Sequence, residues 1–533
     1  MPLSKRVSSL LDSLSLEQKA GQIFVFTFLS ERQALNELRF HPGGYVRIYG
    51  DVLTAARQNQ KLQQATEIPL ILSADFERGI GSTVTGATDF VTMMCLGASA
   101  NPEHAYNCAA GIAQEALAMG INTNYVPVLD VNVNEANPII NVRSFGHDPE
   151  LVAVMGEAFI RGTQETGVIA CGKHFPGHGD TAIDSHTNLG TIEASKDRMN
   201  QVELVPFRRA IAAGVDSIMS AHLQINAYDD SGLPATLSRK IMHRLLREEL
   251  GFEGLAVSDA LDMGGITRNF TPEDAIIKAI NAGIDTLIMP MNPGRAVNTV
   301  INAVRDGLIS EERLNEAVGR VLSTKEKRGI LDRKPVNPAD VPAQTCVPKN
   351  RAVALNAALD GITLIKNVDA TLPVTTGKRV AVITFTNHED GRSYYLDPNT
   401  FPAHLAATGV SVEHVHCGLL DDRAVHEFNC VDRSLAAAEQ TDVVIVAAYT
   451  KVVINRGTVS LPDHYASFVN RLAAKNARLA LISFGNPYLI KQFPNVGAFA
   501  CGYGATDPTQ EAMAQIVAGQ KPFKGTLPVT ISV

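Results

Sequence analysis

Short apolar runs, each closed by polar residues and followed by a stretch of helical spacing, recur through the first part of the chain. GQIFVFTF at 21–28, GGYVRIYG at 43–50, IPLILSAD at 68–75, NTNYVPVLDV at 122–131, VIACGKHF at 168–175, VDSIMSAH at 215–222, FEGLAVSDA at 252–260 and IDTLIMP at 284–290 read as eight buried strands. Between them PEHAYNCAAGIAQEALA, PELVAVMGEAFIRGTQE, VELVPFRRAIAAG and SRKIMHRLLREEL carry the helical period and supply the crossovers that parallel strands need. Ser15 followed by Gln18 matches a capping box just before the first strand. Eight strand and helix units over about 300 residues predict a (β/α)8 barrel spanning 1–330.

ISEERLNEAVGRVLSTKEKRG reads as a closing helix, and the four-proline segment after it loses all periodicity, which marks 331–350 as a linker. A second alternation fills 351–533, with GITLIKN, RVAVITF, VSVEHVH, DVVIVAAYT, RLALISFGN, AFACGYG and GTLPVTI as strands and DRSLAAAEQ and HYASFVNRLAAKN as helices. The expected fold is therefore α/β, a (β/α)8 barrel followed by a smaller α/β sandwich domain. No Gly-rich phosphate fingerprint follows a strand, and the barrel is not repeated.

Composition changes this picture little. At 533 residues the chain exceeds the span of one ordinary core, and 45% apolar with 19% charged residues describes a globular protein. A net charge of −8 offers no basic face for a phosphate backbone, so no nucleic-acid partner is expected. The seven cysteines are scattered without CxxC spacing, which points to reduced thiols and away from a zinc site. The start, MPLSKRVSSLLDSLSLEQKA, lacks the apolar core of a secretory signal, and no run approaches the roughly 20 apolar residues of a membrane span. The expectation is a cytoplasmic protein that engages no membrane.

Chemistry concentrates where the strands end. Asp75, Asp130, Lys173 with His174, His222 and Asp259 each close a different apolar strand, and barrel enzymes gather their active sites at that end. The segment KHFPGHGDTAIDSH at 173–186 adds His178, Asp180, Asp184 and His186. His174 and His178 have the i, i+4 spacing of a helical metal pair, yet Pro176, Gly177 and Gly179 break any helix there, so no metal and no cofactor is expected. His178 suits a structural role, donating to a backbone carbonyl in a Gly-rich turn. Asp184 can turn back onto His186, fix its tautomer and raise its basicity, which makes the pair a proton carrier. The glycines with Asp180, Thr181 and Ser185 around it predict a loop free to move over the barrel mouth. Asp259 projects from a strand end as a held carboxylate, with Asp262 a competitor farther into the loop. A carboxylate facing a proton donor is the machinery of glycoside cleavage.

On SADFERG, PVLDVN, NPIINVRSFGHDP, KHFPGHGD, DSH, MSAH, PATLS and SDALDM, in this order, the chain resembles glycoside hydrolase family 3 and, within it, the β-N-acetylglucosaminidases. ITLIKN, ISFGNPY and GTLPVTIS are similar to the family's sandwich domain. The resemblance implies a retaining mechanism with Asp259 as nucleophile and His186 as acid/base oriented by Asp184. It implies that Asp75, Arg143, Lys173 and His174 grip the hydroxyls of the nonreducing sugar, while Asp130 supports that site. Arg143 and Lys173 would also favour ionised Asp259 if they lie near it. Phe76 and Arg78 stand where family members often read differently, and Gly146 with His147 depart on what is expected to be the leaving-group side.

A histidine can deliver a proton and recover one without placing a second anion beside the intermediate. Anionic substrates, such as anhydro-muramyl sugars, or phosphate as acceptor are then tolerated. The expected activity is exo-acting release of N-acetylglucosamine from muropeptide or chitin-type oligosaccharides, in peptidoglycan recycling or related carbohydrate metabolism. N-acetyl-β-glucosaminide phosphorolysis, a β-glucosidase and a noncatalytic sugar-binding protein are the alternatives. The last would be expected to lack Asp259 or His186, and both are present. For the second domain, closing the cleft, forming a homodimer and stabilising the barrel all stay open.

Overall fold

The computed structural model describes residues 3–47, 50–182, 184–185, 188–374, 377–386, 397–419, 429–450 and 460–532. Its first domain holds eight parallel strands: β1 (Phe24–Thr27), β2 (Gly44–Val46), β3 (Ile71–Ala74), β4 (Thr123–Asn124), β5 (Ile169–Phe175), β6 (Ser217–Ser220), β7 (Leu255–Val257) and β8 (Leu287–Ile288). They pair in chain order from β1 to β7, and β8 returns to pair with β1. A bridge between Val257 and Thr286, with Ser258 N–H donating to Thr286 C=O at 2.9 Å, spans the gap from β7 to β8. The expected barrel is thereby present and all but closed.

Strand alternation sorts the side chains into two layers. Val25, Val46, Ile71, Cys171, Met219, Val257 and Ile288 form one apolar cluster inside the ring. Phe24, Phe26, Tyr45, Leu72, Ala170, Ile218 and Ala256 belong to another, under the helices. Continuing the period of two beyond the ladders turns Asp75, Lys173 and Asp259 inward, above Ile71, Cys171 and Val257.

The ladders are shorter than the apolar runs, because the last residues of each run peel away to form the mouth. β4 is the extreme case. Pro127 has no N–H to give a ladder, yet the chain still tracks β5, with Lys173 N–H on Pro127 C=O at 3.1 Å and Leu129 N–H on Lys173 C=O at 2.6 Å. The helices α1 (Pro102–Ala118) and α2 (Pro149–Glu165) stand as read, each with proline in its first turn after an Asn101 or Asp148 cap. The Ser15 capping box is also formed. SRKIMHRLLREEL differs from expectation: Lys240–Glu249 is wound more loosely than an α-helix, as Leu250 N–H bonding five residues back to Leu245 C=O at 2.9 Å illustrates.

The second sheet contains β9 (Thr363–Asn367), β10 (Arg379–Thr386), β11 (Ser411–Leu419), β12 (Val443–Tyr449), β13 (Leu479–Ser483) and β14 (Ala498–Cys501) in the order β9-β14-β13-β12-β10-β11. All pairs are parallel except β9 with β14. GTLPVTI, expected as a seventh strand, is instead an extended strap. Pro528 interrupts its donors, and its bonds go to different partners: Gly525 N–H to Ile362 C=O, Thr526 N–H to Ala98 C=O, and Pro528 C=O from His147 N–H.

The segment between the sheets is fastened from the barrel side by the buried Glu115 of α1. Its carboxylate accepts from Thr88 N–H (2.8 Å), Cys346 N–H (3.2 Å) and Asn350 Nδ2 (2.8 Å). One apolar cluster runs from Ala105 and Phe159 of the barrel helices through to Ile445 and Phe499 of the second sheet. All seven cysteines are unpaired and six are buried. Among the described residues no helix is long and apolar enough to cross a membrane.

Candidate active site

Lys173 stands at the floor of the barrel mouth, its side chain only 3% exposed, and reaches Asp75 Oδ1 at 2.5 Å and Glu77 Oε1 at 2.9 Å. The Asp75 carboxylate above it is 55% exposed and faces the opening. Arg143 lays its two-pronged edge on Glu77, Nε to Oε2 at 2.9 Å and Nη2 to Oε1 at 2.8 Å, and gives Nη1 to Ile139 C=O at 3.1 Å. Burial alone would push Glu77 up, but the charges of Arg143 and then Lys173 hold it well below the usual carboxylate range. Burial likewise opposes the charge on Lys173 and Arg143, and their carboxylate partners overcome it, so both are held above their ordinary values. Two anions and two cations thus form a neutral, ionised floor.

Asp130, fully buried, organises the next layer. Its Oδ2 meets His174 Nδ1 at 2.7 Å, and its Oδ1 accepts the backbone N–H of His174 (3.1 Å) and of His178 (2.7 Å). Burial works against that charge, and His174 outweighs it, so Asp130 is held below the ordinary aspartate value. With Nδ1 committed to Asp130, Nε2 is the His174 atom left to meet a ligand. The glycines of this loop are required by space and by dihedral angle. A Cβ on Gly179 would lie 1.8 Å from Val131 C=O, and Gly177 adopts φ +133° with Glu203 close behind it. Asn137 Nδ2 braces the loop further, donating to His178 C=O at 2.9 Å and Gly179 C=O at 3.1 Å.

Asp259 lies half-buried at the end of β7, its Oδ1 accepting Ala260 N–H at 2.8 Å. His222, at the end of β6, donates from Nε2 to Ala260 C=O at 2.9 Å and meets Thr236 Oγ1 through Nδ1 at 2.8 Å. Asp259 is near enough to act electrostatically on both His178 and Cys171, which places it over the same floor. Asp184 and Ser185 are buried at 3% and 2% exposure. Ser185 C=O accepts Gly265 N–H at 3.1 Å, Asp184 C=O accepts Asn188 N–H at 3.1 Å, and Ser185 Oγ meets His178 Nε2 at 2.9 Å. His186, and with it the expected pairing to Asp184, lies outside the described residues.

The structure therefore gathers Asp75, Arg143, Lys173, His174 and Asp259 at one mouth, and four expectations change in detail. Arg143 has three of its five N–H groups committed to Glu77 and Ile139, so only two are left for a sugar. The ion partners of Lys173 and Arg143 are Asp75 and Glu77. His178 meets the Ser185 hydroxyl where a backbone carbonyl was expected. His147, expected on the leaving-group side, instead bonds Pro528 C=O of the strap through both N–H and Nδ1. Glu77 went unread, and Ser185, expected in a freely moving loop, is instead buried and bonded to His178. Glu77 is two residues past Asp75 and so shares its face, a signal that strand alternation contains; the partner of Ser185, His178, lies seven residues away and is not marked by the DSH motif.

Among the described residues one group has ligand atoms close enough for a metal ion, His404, Asp507 and Glu511 in the second domain. Arg351 Nη2 already lies 2.9 Å from Asp507 and 3.0 Å from Glu511, so a guanidinium occupies the cation's place.

Comparison with known proteins agrees with this geometry. The Glycosyl hydrolase family 3 N terminal domain matches residues 21–324, and the family's C-terminal domain matches 362–533. A beta-N-acetylglucosaminidase/beta-glucosidase of Cellulomonas fimi is 30% identical over 547 residues, covering 98% of this chain and 95% of that protein. The solved family 3 beta-N-acetylglucosaminidase of Paenibacillus sp. str. FPU-7 superposes with a TM-score of 0.88 at 32% identity, over 98% of this chain and 100% of that one. A beta-glucoside phosphorylase superposes equally well, with a TM-score of 0.88 at 28% identity, over 99% and 97% of the two chains. With both domain models matched in order and the polar residues collected at the barrel mouth, the chain belongs to glycosyl hydrolase family 3 and is a glycoside hydrolase.

Proposed function

We propose that this enzyme is a retaining, exo-acting β-N-acetylglucosaminidase that releases N-acetylglucosamine from the nonreducing end of muropeptide or chitin-type oligosaccharides. Asp259 attacks the anomeric carbon and forms a glycosyl-enzyme. The imidazolium of His186, oriented by Asp184, protonates the departing oxygen, and the neutral ring then takes a proton from the attacking water. Asp75, Arg143, Lys173 and His174 hold the sugar hydroxyls by charge-assisted hydrogen bonds.

The observation that carries this reading is the bond from Gly265 N–H to Ser185 C=O at 3.1 Å. It ties Ser185, between Asp184 and His186 in the chain, to the loop that follows Asp259, which supports reading the two as parts of one machinery. The names of the Cellulomonas and Paenibacillus relatives support the choice of sugar. A second reading, transfer to phosphate instead of water, is favoured by the likeness to a beta-glucoside phosphorylase and by an acid/base that adds no anion beside the intermediate.

The test is release of nitrophenol from aryl β-N-acetylglucosaminide and aryl β-glucoside, first without phosphate and then with it. Preference for the N-acetyl sugar at a rate indifferent to phosphate supports hydrolysis. A rate that climbs with phosphate and yields a sugar 1-phosphate selects the second reading, while preference for the glucoside removes the N-acetylglucosamine assignment.

A further inference from the structure

We propose that His178 is a positioning residue that latches the acid/base loop, by holding Ser185 in place between Asp184 and His186. The inference rests on the acid/base reading given above and adds a component that the chemistry itself does not require. His178 never has to touch the sugar for its effect to be felt.

Two anchors converge on Ser185. Its side chain meets His178 Nε2 at 2.9 Å, and its carbonyl accepts Gly265 N–H at 3.1 Å from the loop after the nucleophile strand. A residue held at both hydroxyl and carbonyl, and buried to 2% exposure, keeps little freedom of its own. Asp184, one peptide before it, is itself buried at 3% exposure, and His186 is the next residue in the chain.

The direction of the His178 bond follows from what surrounds the ring. His178 is 2% exposed, and burial first, then His174, pulls it down to about 4, so the ring is neutral over the range in which most enzymes work. Its Nδ1 is buried and has no hydrogen-bond partner. An orphaned N–H is rarer in proteins than an under-satisfied acceptor. The proton therefore sits on Nε2, and Nε2–H donates to Ser185 Oγ.

The far end of the latch is equally fixed. His178 N–H donates to Asp130 Oδ1 at 2.7 Å, while Oδ2 of the same carboxylate holds His174 Nδ1 at 2.7 Å. One buried carboxylate thus organises a histidine assigned to the sugar and a histidine that restrains the proton carrier. The backbone bond to Asp130 does not depend on the side chain at 178, so the latch rests on the imidazole bond to Ser185.

The experiment compares His178→Phe, which keeps volume and loses the donor, and His178→Gln, which keeps an amide donor, with Ser185→Ala and Ser185→Thr. Each variant is assayed on a dinitrophenyl β-N-acetylglucosaminide, which departs without an acid, and on an alkyl glycoside, which needs one. For H178F and S185A we expect kcat/KM on the alkyl glycoside to fall about 10- to 100-fold, less than the roughly 100- to 10,000-fold that a positioned acid supplies in full. The dinitrophenyl substrate should change by less than about 3-fold, S185T and H178Q should recover activity, and the double variant should be no worse than either single one. Equal losses on both substrates, or losses that multiply in the double variant, overturn the latch. If H178F fails to fold, S185A decides alone. His186→Ala separates the two levels: with no leaving-group dependence in that variant the acid/base reading falls and the latch with it, whereas dependence there but not in S185A or H178F removes only the latch.

Discussion

The closed end and the open end of the barrel each bury a cluster of charge, and they are finished in opposite senses. At the closed end Asp285 is fully buried and receives Arg247 at 2.5 Å, Arg313 at 2.8 Å and Arg320 at 3.1 Å, with Ala256 N–H at 3.0 Å. Asp216 beside β6 is enclosed by Arg328 at 2.5 Å and Lys327 at 2.8 Å. There the carboxylates lie deep and the long cations reach in from outside. At the mouth the cation Lys173 lies deep and the Asp75 carboxylate looks out. A network closed upon itself holds helices to strands, whereas one with its acceptors turned outward still has hydrogen-bonding capacity to offer a ligand.

The comparison is broken most directly at Asp259. Asp259→Asn should lower kcat by about 10^4-fold or more, as expected for loss of a nucleophile, and leave the thermal midpoint within a degree or two of the wild type. A matching fall in stability would mean that the mouth is structural after all. Asp285→Ala tests the other end. It leaves three arginines facing an empty site and should cost about 3–5 kcal/mol in denaturant titrations, while the molecules that remain folded keep their KM.

A smaller effect sharpens the contrast. Lys325, fully buried on α3 (Glu311–Lys327), donates to Gln22 Oε1 at 2.9 Å, and burial pulls it down to about 7 from the ordinary 10.5. Below pH 7 the unfolded chain gains by protonation what the folded one resists, so the group destabilises fully there. That burden shrinks as pH rises through the window from 7 to 10.5, because the unfolded lysine is losing its proton too. Lys325→Met should therefore raise stability by about 1–3 kcal/mol at neutral pH, with the gain fading toward pH 10.5 and no change in turnover.

The contrast between the ends was only partly legible in the chain. Apolar runs such as IPLILSAD and VIACGKHF revealed the strands, and the polar ends of such runs revealed Asp75, Lys173, His174 and Asp259, because a buried barrel strand ends where its apolar run stops. Arg143 emerged only through a motif, and its commitment to Glu77 could not be read, since the two lie 66 positions apart in the chain and meet only after folding. The same holds for Asp285, which looks like a stray polar residue at the start of the run IDTLIMP until Arg247, Arg313 and Arg320 are brought around it. GTLPVTI misled for a related reason. Its alternation is that of a strand, but its partners are three separate carbonyls and amides instead of one neighbour.

That strap has a consequence for the order in which the molecule can be finished. A chain is synthesised from its N-terminus, and its early domains begin to fold before the later ones exist. His147 sits four residues beyond Arg143, yet its N–H and Nδ1 both bond Pro528, and Glu135 of the same loop meets Lys491 and Ser532. A nascent barrel can thus close its ring of strands while the loop bearing Arg143 still lacks these outer supports. The side of the mouth that carries Arg143 gains these supports only after the second domain has been made.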